Sequence, residues 1–307
     1  LAVALLAGIG SFALNGGRCN PDSIDNSGGV DCSDHEVNIK ILLGAVEQAG
    51  DMTRKQRNAV LEAMTDDVAN LVLRDNYLQT QAISVTERLG AHLLDRSARF
   101  MHTLERAGEL NRAIEFLPDD ETILERRKAG EGLTRPEIAV LMNYAKLSLY
   151  AELRDSGLPD DAYMVADLET YFPPRLRREH PAAIRNHRLR REIIATQVAN
   201  SIINRGGLAF VHEIREKTGM PAAEVCRAYA AAREVFRLRP IWRAIEGLDN
   251  KVPASVQYRM LTECGRIIER ATTWFLSNLD HPIDIGAAID AYAEGVHVVA
   301  ENLDRLM

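Results

Sequence analysis

Aromatic side chains are scarce in this chain, at 6% of its 307 residues. No broad platform for stacking nucleic-acid bases can be assembled from so few. Basic charge is also in deficit: 37 Lys and Arg against 44 Asp and Glu leave a formal net charge of -7. That balance argues against a nucleic-acid partner, whose footprint is usually basic. The four cysteines (Cys19, Cys32, Cys226 and Cys264) form no C-x-x-C pair and have no histidine at zinc spacing. That usage argues against a disulfide framework and a zinc finger, and for a reduced, cytoplasmic protein. Long apolar runs are missing as well. The nearest, from Leu1 to Leu14, is too short to span a bilayer and carries no basic leader, so no membrane partner is expected.

Strand-like alternation does not persist beyond Ser33, and residues favourable to helices take its place. Before that point, Leu1–Ala7 followed by Gly8, Gly10 and Ala13 imitates a strand leading into a G-x-G-x-x-A turn. The helix that such a fingerprint requires is cut short by Asn15-Gly16-Gly17 and Pro21. With no initiating Met, residues 1–12 read as an atypical or foreign leader. Beyond Asp34 a helix is expected from Glu36 to Ala49, stopped at Gly50, with Thr53 capping the next and a break at Thr65-Asp66-Asp67. Tyr77 to Ala107 repeats apolar residues at three- and four-residue intervals and predicts one long helix, with Gly90 tolerated inside it.

Further along, Thr134 and Glu137 form a capping box with Pro136 in the first turn, a clear helix start. Pro173-Pro174 interrupts the pattern, and Gly206-Gly207 and Gly219 punctuate it. Helices are then expected from Pro221 to Phe236, Pro253 to Leu279 and Asp284 to Leu306. No internal repeat recurs at a fixed period, so a regular solenoid is not expected. The fold class is therefore mainly α: a multi-helical array with a small remnant of α/β structure at its N-terminus.

One stretch stands apart, from Ile24 to Asn38. Asn26, Ser27, Gly28 and Gly29 have turn chemistry, and Ser33 with Glu36 has the spacing of a capping box ahead of an apolar run. A glycine turn feeding a helix start suits a carboxylate, amide or phosphate, and it also serves as an ordinary turn. Asp31, Asp34 and Glu36 read as first-turn acids that complement the helix dipole. His35-Glu36 falls short of H-E-x-x-H because Ile39 stands where the second histidine belongs, so no metal site is assigned. Cys32 reads as a packed side chain with no base to make it a nucleophile. Arg175, Arg177, Arg178, Arg185, Arg188, Arg190 and Arg191 are interleaved with Glu179 and Glu192, which suggests a solvated or interdomain face. His102, His180, His212, His281 and His297 read as packing or surface histidines.

The wording D-N-S-G-G-V-D-C-S-D-H-E-V-N from Asp25 to Asn38 resembles the end of the catalytic domain of the large bacterial NAD-dependent glutamate dehydrogenases. Ala13-Leu14-Asn15-Gly16-Gly17-Arg18 fits the same family, as do Leu133–Lys146, His187–Thr196 and Val235–Leu238, the likeness running with gaps to Leu248. Shorter members have an alanine where this chain has Ser27. The resemblance implies residues 13–50 as the end of a dehydrogenase catalytic domain and 51–307 as a helical C-terminal domain. It implies NAD as cofactor, L-glutamate and 2-oxoglutarate as substrate and product, the remainder of the catalytic domain as partner, and a homo-oligomer. Asn26, Gly28 and Gly29 would then lie near the nicotinamide, and Val30 and Ser33 would line the substrate pocket. Ser33 has a competing use as a helix cap. No catalytic residue can be carried over: Lys40 and Lys55 match no catalytic pattern, and the family's lysine, aspartate and nucleotide loop would lie upstream. The 307-residue chain alone is expected to be inactive. The alternative is a non-enzymatic α-helical scaffold or protein-interaction module, since apolar stripes on long helices need partners.

Overall fold

The computed structural model describes residues 9–302. Among these residues no strand forms, and the chain is a succession of helices, the mainly α array that the composition favours. They are α1 (Asp22–Asp25), α2 (Val30–Gln48), α3 (Arg54–Ala63), α4 (Thr65–Leu89), α5 (Leu94–Arg106), α6 (Asp120–Ala129), α7 (Arg135–Arg154) and α8 (Val165–Tyr171). After them come α9 (Pro174–Glu179), α10 (Pro181–Arg185), α11 (Arg190–Gly206), α12 (Phe210–Thr218), α13 (Ala222–Val235), α14 (Leu238–Glu246), α15 (Ala254–Asn278) and α16 (Ile285–Glu301). The strand half of the N-terminal fingerprint lies outside the described residues, as do the last positions of the helix expected to run to Leu306. Residues 9–14, which carry Gly10 and Ala13, are helical.

Capping chemistry sets most of the boundaries. Thr53 opens α3 with a reciprocal box: the Gln56 amide donates to Thr53 Oγ1 at 3.3 Å while Gln56 Oε1 accepts from the Thr53 amide at 2.8 Å. Glu137 Oε2 accepts from the Thr134 amide at 2.7 Å where α7 begins. Gly50 ends α2 with φ +84°, and Gly219 ends α12 with φ +71°, the left-handed conformation that favours glycine. Pro-Pro ends α8, yet Pro174 is itself the first residue of α9. A proline at that position gives up an N–H that the first turn would leave unpaired.

The single long helix expected from Tyr77 to Ala107 is two. The chain leaves α-helix at Gly90, whose φ is +52°, and passes through a 3₁₀ turn over Gly90–Leu93. The reason is long-range. A Cβ on Gly132 would stand 2.7 Å from the Gly90 Cα, so the two backbones approach as only glycines permit. Residue periodicity cannot register that contact.

The chain divides into two compact units. The first comprises Leu1–Ile83, Ala113–Leu117 and Leu133–Asn200, with Ile24, Ile39, Leu43, Ile138, Leu141, Phe172 and Leu176 at 0–1% exposure in its core. Burying each such side chain is worth about 1.5–3 kcal/mol. The second comprises Ser84–Arg112, Pro118–Gly132 and Ser201–Met307. There α13 is the central helix, packed on α15 and α16. Its residues Ala228, Ala230, Ala231 and Ala232 are almost wholly buried and allow close helix approach, with Tyr229 buried among them. Arg205 and Glu246 form a buried ion pair in this unit, with the guanidinium 4.7 Å from the Trp242 ring centroid.

Candidate functional site

The predicted elbow from Asn26 to Ser33 forms, with a different construction. The Gly29 and Val30 amides both donate to the Asn26 carbonyl, at 3.0 and 3.1 Å, which closes the turn. Helix α2 starts at Val30 rather than at Glu36, and Gly29 is its N-cap. Ser33 therefore sits inside the helix and caps nothing: its hydroxyl donates to the Gly29 carbonyl at 2.7 Å. The Ser33–Glu36 capping box is thus overturned, because the glycine turn nucleates the helix one turn earlier. Asp31 alone is a first-turn acid, and Asp34 and Glu36 lie further along. The Asn26 side chain folds over Gly29, so that a Cβ there would stand 2.6 Å from Asn26 Oδ1 unless that side chain swung aside. Gly28 faces open space.

Asn26, Gly28, Gly29, Val30 and Ser33 are all exposed, and Val30 is 64% exposed. The Asn26 backbone amide donates to the Asp22 carbonyl at 2.9 Å, while among the described residues its side-chain carboxamide has no hydrogen-bond partner and is free to donate and to accept. Val30, Ser33 and Val37 recur at helical spacing on α2, which gives one open face with two bare valines around a hydroxyl. The edge is open rather than sealed.

Beneath that open edge lies a buried polar cluster. Ser27, 7% exposed, donates to the Ile24 carbonyl at 3.1 Å. From α4, Asn76 Nδ2 donates to that same carbonyl and to Ser27 Oγ, both at 2.9 Å. Its neighbour Asp75 meets His35 Nε2 at 3.1 Å. The His35 ring stacks on Tyr171 of α8 at 4.5 Å between centroids. The Tyr171 hydroxyl donates to Asp34 Oδ2 at 2.7 Å and accepts from Asn38 Nδ2 at 2.8 Å. His187 closes the back, with Nε2 3.0 Å from the Asn38 carbonyl. His35 Nδ1 and Asn38 Oδ1 remain buried without a partner among the described residues.

Burial raises the Asp31 carboxyl above its usual range, with the negative Asp75 adding to the effect while Ser27, Lys146 and His35 oppose it. Lys146 of α7 is part-buried, and loss of water around its ammonium lowers its pKa to about 8 despite the attraction of Asp75 and Asp31. Tyr171 is raised, first by burial and then by the Asp34 carboxylate. Sequence reasoning missed Asn38, Asp75, Asn76, Lys146, Tyr171 and His187. A faint signal existed: Asn76 falls on the apolar stripe that runs from Val72 to Ile83, a polar residue where the period demands a buried one.

Other candidates are weaker. Three arginines of the arginine-rich segment are ion-paired, as Arg175–Glu179, Arg185–Glu169 and Arg191–Asp160. An open depression in the second unit is lined by Arg99, His102, Glu105, Arg106 and Glu216, and its charges balance within it, Arg99 lying 3.5 Å from Glu216. Among the described residues no three His, Cys, Asp or Glu side chains converge as metal ligands, and no helix is long and apolar enough to cross a membrane.

Comparison with known proteins bears on both halves of the chain. Residues 130–307 match the family model described as glutamate dehydrogenase, C-terminal. Residues 1–86 match that of the bacterial NAD-glutamate dehydrogenase catalytic domain. The chain is 48% identical over 296 residues to an NAD-specific glutamate dehydrogenase of Pseudomonas aeruginosa, covering 96% of this chain and 18% of that protein. Proteins of the same name from Halomonas elongata and Mycobacterium tuberculosis are 45% and 38% identical over 293 and 294 residues, covering 95% and 96% of this chain and again 18% of each relative. The chain thus spans about a fifth of the length of these curated relatives.

Proposed function

The chain belongs to the glutamate dehydrogenase family whose C-terminal region it matches, and from that premise we propose that it is the C-terminal part of an NAD-dependent enzyme converting L-glutamate, NAD and water to 2-oxoglutarate, ammonia and NADH. In this reading residues 13–50 end the catalytic domain and 51–307 form a helical domain with a structural, assembly or regulatory role in a cytoplasmic homo-oligomer. Asn26, Gly28 and Gly29 flank the nicotinamide, and Val30 and Ser33 face the substrate. The open elbow carries this reading. The unpartnered side-chain carboxamide of Asn26 can pair with a second carboxamide, and the missing Cβ at Gly28 lets a flat ring approach the main chain. Bound NAD supplies the hydride acceptor.

The residues of the elbow then orient rather than react. Val30 offers an apolar surface to the methylenes of the substrate. Ser33 has one proton, engaged at the Gly29 carbonyl. It meets a carboxylate only by rotating that O–H outward, or it keeps the bond and accepts from a donor. Ser33→Ala in the full-length enzyme should raise KM for glutamate about fivefold and leave KM for NAD within about twofold. Equal loss for both ligands, or loss of stability alone, would contradict the assignment. The purified 307-residue chain by itself should give no steady-state NADH from glutamate, and measurable turnover would overturn that expectation.

A further inference from the structure

The geometry points to Asn76 as a positioning residue for the Asn26 carboxamide: from α4 it clamps the elbow on both sides of Asn26 and sets that side chain in place before a ligand arrives. The inference rests on the reading of Asn26 as facing the nicotinamide. Asn76 Nδ2 carries two protons, and both are engaged. One goes to the Ile24 carbonyl and the other to Ser27 Oγ, each at 2.9 Å. Ser27 Oγ in turn donates to the Ile24 carbonyl at 3.1 Å, which closes a ring of hydrogen bonds. Ile24 is 0% exposed and Ser27 is 7% exposed, so water does not compete for these bonds. The Ile24 carbonyl lies in the last turn of α1, where a helix leaves its carbonyls unpaired, and the two side chains satisfy it.

Asn26 stands between the two clamped residues, and its own main chain is held as well. Its amide donates to the Asp22 carbonyl at 2.9 Å, and its carbonyl accepts from the Gly29 and Val30 amides at 3.0 and 3.1 Å. The Ser27 carbonyl accepts from the Cys32 amide at 3.2 Å, which ties the clamp to the first turn of α2. Asp75, next to Asn76 on α4, adds a second tie to α2 through His35 at 3.1 Å. A held main chain beneath an exposed, unpartnered carboxamide is what pre-organised recognition requires, because the ordering cost falls on folding and not on binding. Both protons of the Asn76 amide are taken up by the turn, so Asn76 acts through Asn26 rather than on a ligand.

The test is a double-mutant cycle in the full-length dehydrogenase, with KM read separately for NAD and for glutamate. Asn26→Ala should raise KM for NAD about tenfold. Asn76→Ala should raise it about fivefold, with KM for glutamate within about twofold of the parent. Added to Asn26→Ala, Asn76→Ala should leave KM for NAD within about twofold of the Asn26→Ala value, because the side chain it positions is already gone. A purely structural contact would keep its cost in that background. An Asn76→Ala enzyme with the parent's KM for NAD overturns the inference. So does a double variant whose KM for NAD carries the product of the two single effects, or equal loss for both ligands in step with lost thermal stability. If Asn76→Ala does not fold, Ser27→Ala takes its place in the cycle, since it removes the hydroxyl from the ring and leaves the bond from Asn76 to Ile24. Its expected rise of about threefold in KM for NAD should vanish in the Asn26→Ala background, and persistence there overturns the inference. The two failures stay distinct. A KM for NAD that responds to Asn26→Ala and not to Asn76→Ala removes the clamp only; one that responds to neither removes the elbow reading with it.

Discussion

The unit around the elbow and the unit around α13 bury opposite chemistries. Around α13 the helices meet over alanines and apolar side chains: Ala228, Ala231, Ala232 and Val235 on α13, Ile268 and Phe275 on α15. Arg205 is matched there by Glu246, while Asn204 Oδ1, Thr272 Oγ1 and His297 Nε2 are buried without a hydrogen-bond partner among the described residues. Beneath the elbow His35, Asn38 and Tyr171 are buried, with Asn76 and Lys146 part-buried and Asp75 about a third exposed, and two of the buried atoms lack partners. Each unsatisfied atom costs about 1–3 kcal/mol. Both units carry that cost, and the difference lies in what surrounds it: apolar side chains around α13, a connected set of polar side chains beneath the elbow.

The largest effect that would sharpen this contrast is in the apolar unit. Phe275→Ala, at a site 2% exposed, should destabilise the chain by about 3–5 kcal/mol, read by guanidinium unfolding. A loss below about 1 kcal/mol would mean that the core relaxes freely and that the contrast is overstated.

Next comes the polar unit, where pH is the lever. The folded-state pKa of Lys146, about 8, lies below its ordinary 10.5. Between those values the unfolded chain holds a proton that the folded chain has released, so this group makes stability rise with pH. Below about pH 8 both states hold the proton and the full cost of burying the cation stands. Unfolding free energy should therefore gain about 2 kcal/mol from pH 8 to about 9.5, and Lys146→Met should lose that gain. The smallest effect belongs to neither chemistry. Thr53→Ala removes an exposed cap and should cost about 1 kcal/mol, detected as faster amide exchange over the first turn of α3.

How much of this was legible beforehand follows the range of the interactions. Stops at Gly50 and Gly219 and starts at Thr53 and Thr134 are local, set by a residue's own φ or by a partner three positions away, and the sequence displays them. The break at Gly90 depends on Gly132, forty-two positions on, and the periodic pattern hides it. At the elbow the turn residues announce themselves, yet the S-x-x-E spacing points to a cap at Ser33 that Gly29 provides, because that spacing reads the same on either side of a helix start. The supporting cluster was invisible for a different reason. Asp75, Lys146 and Tyr171 reach the elbow across tens of residues, and each looks locally like an ordinary helix residue.

The account turns on whether Asn26 to Ser33 is a ligand-facing edge. Hydrogen–deuterium exchange on the full-length dehydrogenase, with and without NAD and 2-oxoglutarate together, tests it most directly. The account predicts slowed exchange in the peptide that spans the elbow and the first turns of α2, and unchanged exchange over α13. Unchanged exchange at the elbow, with protection confined to other parts of the enzyme, would contradict it.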